Sequence, residues 1–418
     1  MIDCKNCKHR MRADHLIEDF IETTRHSGKQ RLHQNPDSGQ ARMTDIDGLD
    51  DSIKKILEQV QDDEIKESWE TGKVEGLSDD KLTEIIKLFH IPCPNCKKSD
   101  WTAVRKFNQL FPVNLGIVAG EGSLAYLRGE TAQGMFVAFK NVMDSTRVRL
   151  PFGIAQNGKS FRNEITPGNS VFRTLVFEQS EIEYFFDPDK SDWNTLFESW
   201  KKSMWEFVTK KLHIREENLR WREHTDAERS FYSKRTEDLE YQFPFGFKEL
   251  WGLAYRTNYD LSQHEKYSGK DLKVTDPYSG EKILPHVIEP AVGIDRLFLM
   301  VLADAYFDDE QRIVLKINPK LAPYKVAVFP LVANKEEITG KAKEVYTNLR
   351  KEVFALLDER GNIGKRYLYH DEIGTPWCVT IDYQTLEDQT VTVRDRDTAV
   401  QERVKVEELV EYFQKKLQ

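Results

Sequence analysis

Two groups of residues in this chain are of the right type and spacing to do chemistry. The first is a set of thiols. Cys4-Lys5-Asn6-Cys7 opens the chain, and Cys93-Pro94-Asn95-Cys96 repeats the spacing, each pair followed by a lysine. One CxxC is a weak signal. Two of them offer four soft thiolates on tight turns, which suits tetrahedral Zn²⁺. A redox dithiol is the alternative, but neither pair has the strand-then-helix context that such a site needs. The second group lies in Asn157 to Phe186, NGKSFRNEITPGNSVFRTLVFEQSEIEYFF. Two strand-like runs flank a polar loop, with Thr166-Pro167-Gly168-Asn169 as the turn signal. Arg162 and Glu164 are expected on one face of the first strand, and Arg173, Phe177, Gln179 and Glu181 on one face of the second. Arginines flanking a loop, with carboxylates beside them, suit a polyphosphate and its metal ion. A solvated hairpin with surface ion pairs is the plainer alternative.

The elements that must position these groups follow from periodicity. Val171 to Phe186 alternates and is rich in aromatic and β-branched residues, as a long strand should be. Leu150 to Ile154 reads as a short strand leading into it. Thr102 to Phe111 also alternates and is expected to begin the main domain. Gly116 to Gly122 is a glycine-rich turn lacking the Gly-Lys-Ser/Thr end of a P-loop. Helical spacing marks Ile53 to Gln61, Lys81 to Phe89, Thr131 to Val142, Trp193 to Leu219 and Leu297 to Tyr306. Glu18 to Asp50 is polar and reads as loop or short helix. Pro319 to Pro323 is a hinge. Beyond it the pattern predicts strands at Val326 to Leu331, Arg366 to Tyr369, Trp377 to Asp382 and Thr390 to Arg394. Helices are expected at Ile338 to Glu359 and Val404 to Leu417. The chain is thus divided into 1–100, 101–318 and 319–418, with an α+β fold class.

Composition narrows the function classes. The 418 residues are 39% hydrophobic and 31% charged, as for a globular protein with real cores. No run approaches the roughly 20 apolar residues of a membrane span, and no apolar signal segment opens the chain. Five cysteines are too few for a disulfide framework, so a reducing cytoplasm is expected. The formal net charge of -9 argues against non-specific coating of nucleic acid.

The phrase around Arg162 resembles motif 2 of the class II aminoacyl-tRNA synthetases, with wording similar to the glycyl-tRNA synthetase family. The resemblance runs through nearly the whole chain. It implies an antiparallel-sheet catalytic domain with a zinc-bearing insertion and a C-terminal α/β anticodon-binding domain. It implies that Arg162 clamps the ATP α-phosphate and the amino acid carboxylate, that Arg173 holds the outer phosphates, and that Phe177 stacks on adenine. Glu164 joins the ATP site. Leu127-Arg128-Gly129-Glu130-Thr131-Ala132-Gln133-Gly134 resembles a further family element, with Gly129 in place of a proline. It offers Glu130 to the glycine ammonium; capping of the following helix is the alternative. The run from Asp238 to Gly252 supplies Glu249 to position substrates, and Tyr255-Arg256-Thr257-Asn258 supplies Arg256. Glu289-Pro290-Ala291-Val292-Gly293-Ile294-Asp295-Arg296 resembles motif 3, with Arg296 on the far phosphates and Ala291 where serine is usual. Glu289 would join Glu130 and Glu181 around the ammonium.

The C-terminal phrases Asp371 to Trp377 and Thr392 to Asp397 are similar to the anticodon-binding domain that glycyl, threonyl, prolyl and histidyl synthetases share. There Lys365, Arg366, Arg394 and Arg396 are candidate RNA contacts, with solvated turns and acid–base pairing as the alternative. The resemblance implies a homodimer for the full family form, substrates glycine, ATP with Mg²⁺ and tRNA(Gly), and bound Zn²⁺. Motif 1, the helix and strand of the dimer interface, is not found, since Met1 stands almost on Cys4. The expected activity is glycine activation and transfer to tRNA. A non-catalytic nucleic-acid-binding relative is the competing reading, and a synthetase for another amino acid a third that the three acids disfavour.

Overall fold

Alternation around Glu181 is realised as a long hairpin in the computed structural model. It describes residues 1–29, 51–72, 74, 77–116, 122–165, 167–226, 228–276 and 280–418. Strand β1 (Phe152–Phe161) pairs antiparallel with β2 (Val176–Phe186), from Phe152 opposite Phe185 to Phe161 opposite Val176. The first strand is longer than expected, and it ends before Arg162. Residues 162–164 carry no strand structure, so Arg162 and Glu164 do not share a strand face. The reason is that β2 begins only at Val176, because Ser170–Phe172 forms a 3₁₀ turn, and the ladder has no partner to continue with. Arg173 likewise precedes β2, bridged to Gly168.

The chain divides into two units, Met1–Leu127 with Arg162–Pro167, and Arg128–Phe161 with Gly168–Gln418. In the second unit, four more strands complete an antiparallel sheet: β3 (Leu219–Glu223), β4 (Arg235–Phe243), β5 (Gly246–Thr257) and β6 (His286–Gly293), in the order β1-β2-β6-β5-β4-β3. One face is apolar. Phe186, Ile288, Leu253 and Tyr255 pack there with Phe197 and Met204 of helix α2 (Trp193–Glu206). Leu239, Tyr241 and Leu250 pack against Met300 of α4 (Ile294–Ala305). On the other face, Phe136 and Phe139 of α1 (Ala132–Thr146) meet Phe185 and Val287 at one end of the strands, beside Leu261 of α3 (Tyr259–Ser268). The expected helix Trp193 to Leu219 stops at Glu206, turns through Phe207–Lys211, and Leu219 already belongs to β3.

The C-terminal part of this unit is a five-stranded mixed sheet of β7 (Val326–Pro330), β8 (Ala355–Leu357), β9 (Trp377–Ile381), β10 (Thr390–Asp395) and β11 (Gln401–Lys405), in the order β8-β7-β9-β10-β11. Helices α5 (Glu336–Leu349), α6 (Ile363–Glu372), α7 (Tyr383–Asp388) and α8 (Leu409–Lys416) accompany it. Three expectations are corrected here. The helix over Ile338 to Glu359 ends at Leu349 and gives way to β8. Val404 lies in β11, so the closing helix starts at Leu409. Arg366 to Tyr369 is helix rather than strand: Asn362 caps α6 by accepting the backbone N–H of Lys365, and Arg366 and His370, four apart, both turn inward.

The first unit holds helices Ala13–Lys29, Asp51–Gln59, Asp63–Thr71 and Asp79–Leu88 and a hairpin of Pro112–Leu115 with Ser123–Tyr126. Asp62 and Ser78 cap the last two of these helices. Trp69 stacks on Phe89 at 4.4 Å in a core with Ile17, Ile21 and Ile86. Glu18 lies inside the first helix, and residues 30–50 of the expected loop lie outside the described residues. So do 117–121 of the glycine-rich turn and Thr166 of the motif 2 turn. Thr102 to Phe111 is not a strand. Its backbone bonds are single and scattered, Thr102 donating to Asp3, Arg105 to Met1 and Val104 to the Thr83 hydroxyl, rather than forming a ladder.

Candidate active site and metal centre

Period-two alternation on β2 puts Phe177, Gln179, Glu181 and Glu183 on one face. Glu181 is flanked by Gln156 on β1 and Ala291 on β6. Its carboxylate accepts the backbone N–H of Thr131 at 2.8 Å and the Thr131 hydroxyl, and Gln179 donates to it as well. Thr131 immediately precedes α1, so the anion sits at the positive end of a helix. Glu130, beside it in sequence and partly exposed, accepts from Gln133 at 3.2 Å.

Glu289 on β6 lies on the same face and is buried. It accepts from Arg256 at 2.7 Å, while the same guanidinium grips Asp260 with two bonds of 2.8 Å. The Tyr232 ring covers Arg256 at 4.1 Å. Arg256 is therefore committed to two carboxylates within the protein. Burial pushes the Glu289 carboxyl up to about 7, against the pull of Arg256. Glu183 goes further in the same direction. It is fully buried, neither carboxylate oxygen has a hydrogen-bond partner among the described residues, and burial followed by the nearby Glu289 charge raises it well above the carboxylate range. Sequence reasoning stopped at Glu181. One more step of the same alternation reaches Glu183.

The floor beyond is made by β4 and β5. Gly252 stands opposite Asp238, while Glu249 stands opposite Glu240; the shift at Leu250 is a bulge that keeps Glu249 on the face of Gly252. A side chain at Gly252 would sit 3.7 Å from Asp238 Oδ1 and 3.9 Å from both Glu249 Oε1 and the Ala291 carbonyl. Glycine there leaves an open floor ringed by oxygens. Asp238, held by His224 at 2.7 Å and by Arg222, has its carboxyl raised by burial and by Glu249. Neither Asp238 nor its His224 partner was singled out by motif, because a partner on a neighbouring strand has no fixed sequence spacing. Arg296, in the first turn of α4 after Gly293, donates to the Glu249 carbonyl at 2.9 Å and lies over the Phe172 ring at 4.3 Å. Arg173 is exposed and Phe177 partly buried in this unit, whereas Arg162 and Glu164 belong to the first unit.

The RNA-contact role expected of three basic residues is corrected. Arg366 is 2% exposed and donates to the Pro330 and Asp358 carbonyls, Arg394 grips Asp371 with bonds of 2.8 and 2.9 Å, and Arg396 is 1% exposed and donates to the Gly374 carbonyl. Their side chains tie strands and helices together. Lys365 is exposed.

Within the first unit, the two CxxC loops fold alike. Lys8 and Lys97, each just after its pair, adopt left-handed φ of 60° and 63° and donate to the Cys4 and Cys93 carbonyls. All four sulfurs lie within 4.8 Å of one another, with Cys4–Cys96 at 3.5 Å and Cys7–Cys93 at 3.7 Å. Tetrahedral Zn–S bonds of about 2.3 Å need sulfur separations of about 3.8 Å, so the donor set fits the ion.

Comparison with known proteins agrees with this picture. Residues 1–109 match a family model described as glycyl-tRNA synthetase insertion domain 1, and residues 325–416 one described as anticodon binding domain. The whole chain is 44% identical to the glycine–tRNA ligase of Clostridium acetobutylicum, covering 81% of that protein. It is 43% identical to that of Caldanaerobacter subterraneus subsp. tengcongensis, covering 80%, and 45% identical to that of Clostridium tetani, covering 81%.

Proposed function

The chain belongs to the glycyl-tRNA synthetase family, and from that premise we propose how its residues ligate glycine to tRNA(Gly). ATP, entering as its Mg²⁺ complex, and glycine bind together. A glycine carboxylate oxygen attacks the α-phosphorus in line, and pyrophosphate leaves. The 3'-terminal ribose hydroxyl of the tRNA then attacks the glycyl carbonyl, and AMP leaves. No side-chain nucleophile is needed; orientation and charge neutralisation carry the rate.

Glu130, Glu181 and Glu289 receive the ammonium. This reading is supported by the buried, oxygen-lined sheet face on which Glu181 and Glu289 stand. Arg256 shapes the glycine site by fixing Glu289. Arg162, Arg173 and Arg296 neutralise the phosphates, Phe177 stacks on adenine, and Glu164 and Glu249 orient the nucleotide. Zn²⁺ held by Cys4, Cys7, Cys93 and Cys96 clips the base of the insertion. Residues 1–100 form that insertion, 101–318 do the chemistry and 319–418 grip tRNA. A homodimer for the full-length family form and a cytoplasmic setting complete the proposal; among the described residues no helix is long and apolar enough to cross a membrane.

Near-full-length identity to glycine–tRNA ligases carries this reading, and nothing in the site favours the non-catalytic alternative. The test is ATP–pyrophosphate exchange, which should depend on glycine and not on alanine or serine. Arg162→Ala should abolish it, because the α-phosphate then lacks its cation. Exchange retained by that variant overturns the motif 2 assignment.

A further inference from the structure

Glu183 plays no part in the binding scheme above, yet it is the most deeply enclosed acid of the site. The pairing of Ile288 with Tyr184 and of Ala291 with Glu181 puts Glu289 directly across the ladder from Glu183. Residues directly opposite on neighbouring strands bring like charges close enough to repel. Among the described residues only Glu289 of the two is ion-paired, accepting from Arg256 at 2.7 Å. Neither oxygen of Glu183 has a hydrogen-bond partner among the described residues, and Glu183 is fully buried. A carboxylate so placed cannot stay charged beside another, just as two carboxyls sharing one site hold one proton between them.

From this geometry we infer that Glu183 is a positioning residue, the protonated member of a carboxyl pair with Glu289, which gives up its proton when the substrate ammonium enters. The inference rests on the reading of Glu181 and Glu289 as the ammonium site. The charged groups that act on Glu183 are Glu181 on its own strand, Glu289 on β6, Arg256 at the end of β5 and Asp260 on α3. Across from it on β1 stands Ile154, which is apolar. In the empty site Arg256 is already ion-paired with Glu289 and Asp260, and Glu183 stands beside that cluster. The ammonium adds a positive charge, and loss of the Glu183 proton removes one, so the charge of the enclosed site is unchanged. The O–H bond of Glu183 breaks, its electron pair stays on the carboxylate, and the proton passes by way of the facing Glu289 to solvent. A neutral acid in the empty site keeps the acids together; an ionised one in the filled site offsets, from behind Glu289, the charge that the ammonium brings.

Because a proton leaves as glycine binds, glycine binding must tighten as pH rises. In pyrophosphate exchange between about pH 6 and 8.5, where free glycine keeps its ammonium, KM for glycine should fall with pH, at most about tenfold per pH unit. Glu183→Gln, the neutral isostere, should lessen that slope to the share that Glu289 contributes while leaving kcat nearly unchanged. Proton release can also be read on the unmodified protein, as an indicator-dye signal on adding glycine in weak buffer. A Glu183→Gln variant with the unmodified slope overturns the inference, as does glycine binding without proton release. Normal glycine-dependent exchange with a pH-independent KM overturns this inference alone, whereas absence of any such exchange overturns the activity reading and this inference together.

Discussion

Arg256 donates to Glu289 at 2.7 Å with both side chains nearly enclosed, 3% and 8% exposed. The same guanidinium closes on Asp260. Truncating it leaves two buried carboxylates with no cation, a change that costs about 3–5 kcal/mol for a buried pair. Arg256→Ala should therefore unfold at markedly lower urea concentration and lose glycine-dependent exchange. Arg256→Lys should recover part of the stability but little activity, since an ammonium cannot reach both acids in the fork geometry. Equal stability of the alanine variant and the unmodified chain would show that Glu289 and Asp260 are held by something else.

The paired CxxC loops predict about one Zn²⁺ per chain by metal analysis. Cys93→Ser should lose the ion and lower the Tm of the first unit, because the loops at Cys4 and Cys93 would no longer be joined. A metal-free protein that melts at the unmodified temperature would remove the structural role.

What could be read from the sequence follows from range. Glu181 and Glu289 were legible because motif and strand alternation are local signals. The thiol cluster was legible because identical spacing repeats, although its halves stand far apart in the chain. Glu183 was within reach of the same alternation, but its significance lies in facing Glu289, a relation of register across strands. Arg366 and Arg394 misled for the opposite reason. A basic residue in a polar phrase looks the same whether it meets RNA or a buried Asp371, and only burial separates the two. The strand expected at Arg366 to Tyr369 failed because the cap at Asn362 fixes the backbone more firmly than two tyrosines and a leucine favour a strand.

Arg394 and Lys365 should separate stability from RNA binding. Arg394→Ala leaves Asp371 buried with, among the described residues, only the Arg312 ion pair at 2.8 Å, and should lower Tm by several degrees. Lys365→Ala touches an exposed side chain and should leave Tm unchanged. If it meets tRNA, it should weaken charging without affecting glycine activation, by roughly the worth of one phosphate contact. Reduced tRNA binding by Arg394→Ala at full stability would return that residue to the RNA surface.

Burial of His370 should make the C-terminal sheet acid-sensitive. It is fully buried on α6, its Nδ1 lies 2.9 Å from the Thr375 hydroxyl, and its ring packs on Phe329. Burial lowers its pKa to about 4, although Asp358, 3.7 Å away, pulls the other way. The folded chain therefore refuses a proton that the unfolded chain accepts below its ordinary value of about 6.5. Stability is whole above that value and falls as pH drops toward 4, by about 2–3 kcal/mol in total. The signature is local. Amide protection in Val326–Pro330 and Trp377–Ile381, corrected for intrinsic exchange, should decline between about pH 6.5 and 4.5. His370→Gln keeps a hydrogen-bonding group for Thr375 but cannot take up the proton, so its protection should be level across that window. Protection in the unmodified chain that does not change with pH, or a glutamine variant that declines equally, would place the acid sensitivity elsewhere, with Asp358 and its Arg360 contact the next group to test.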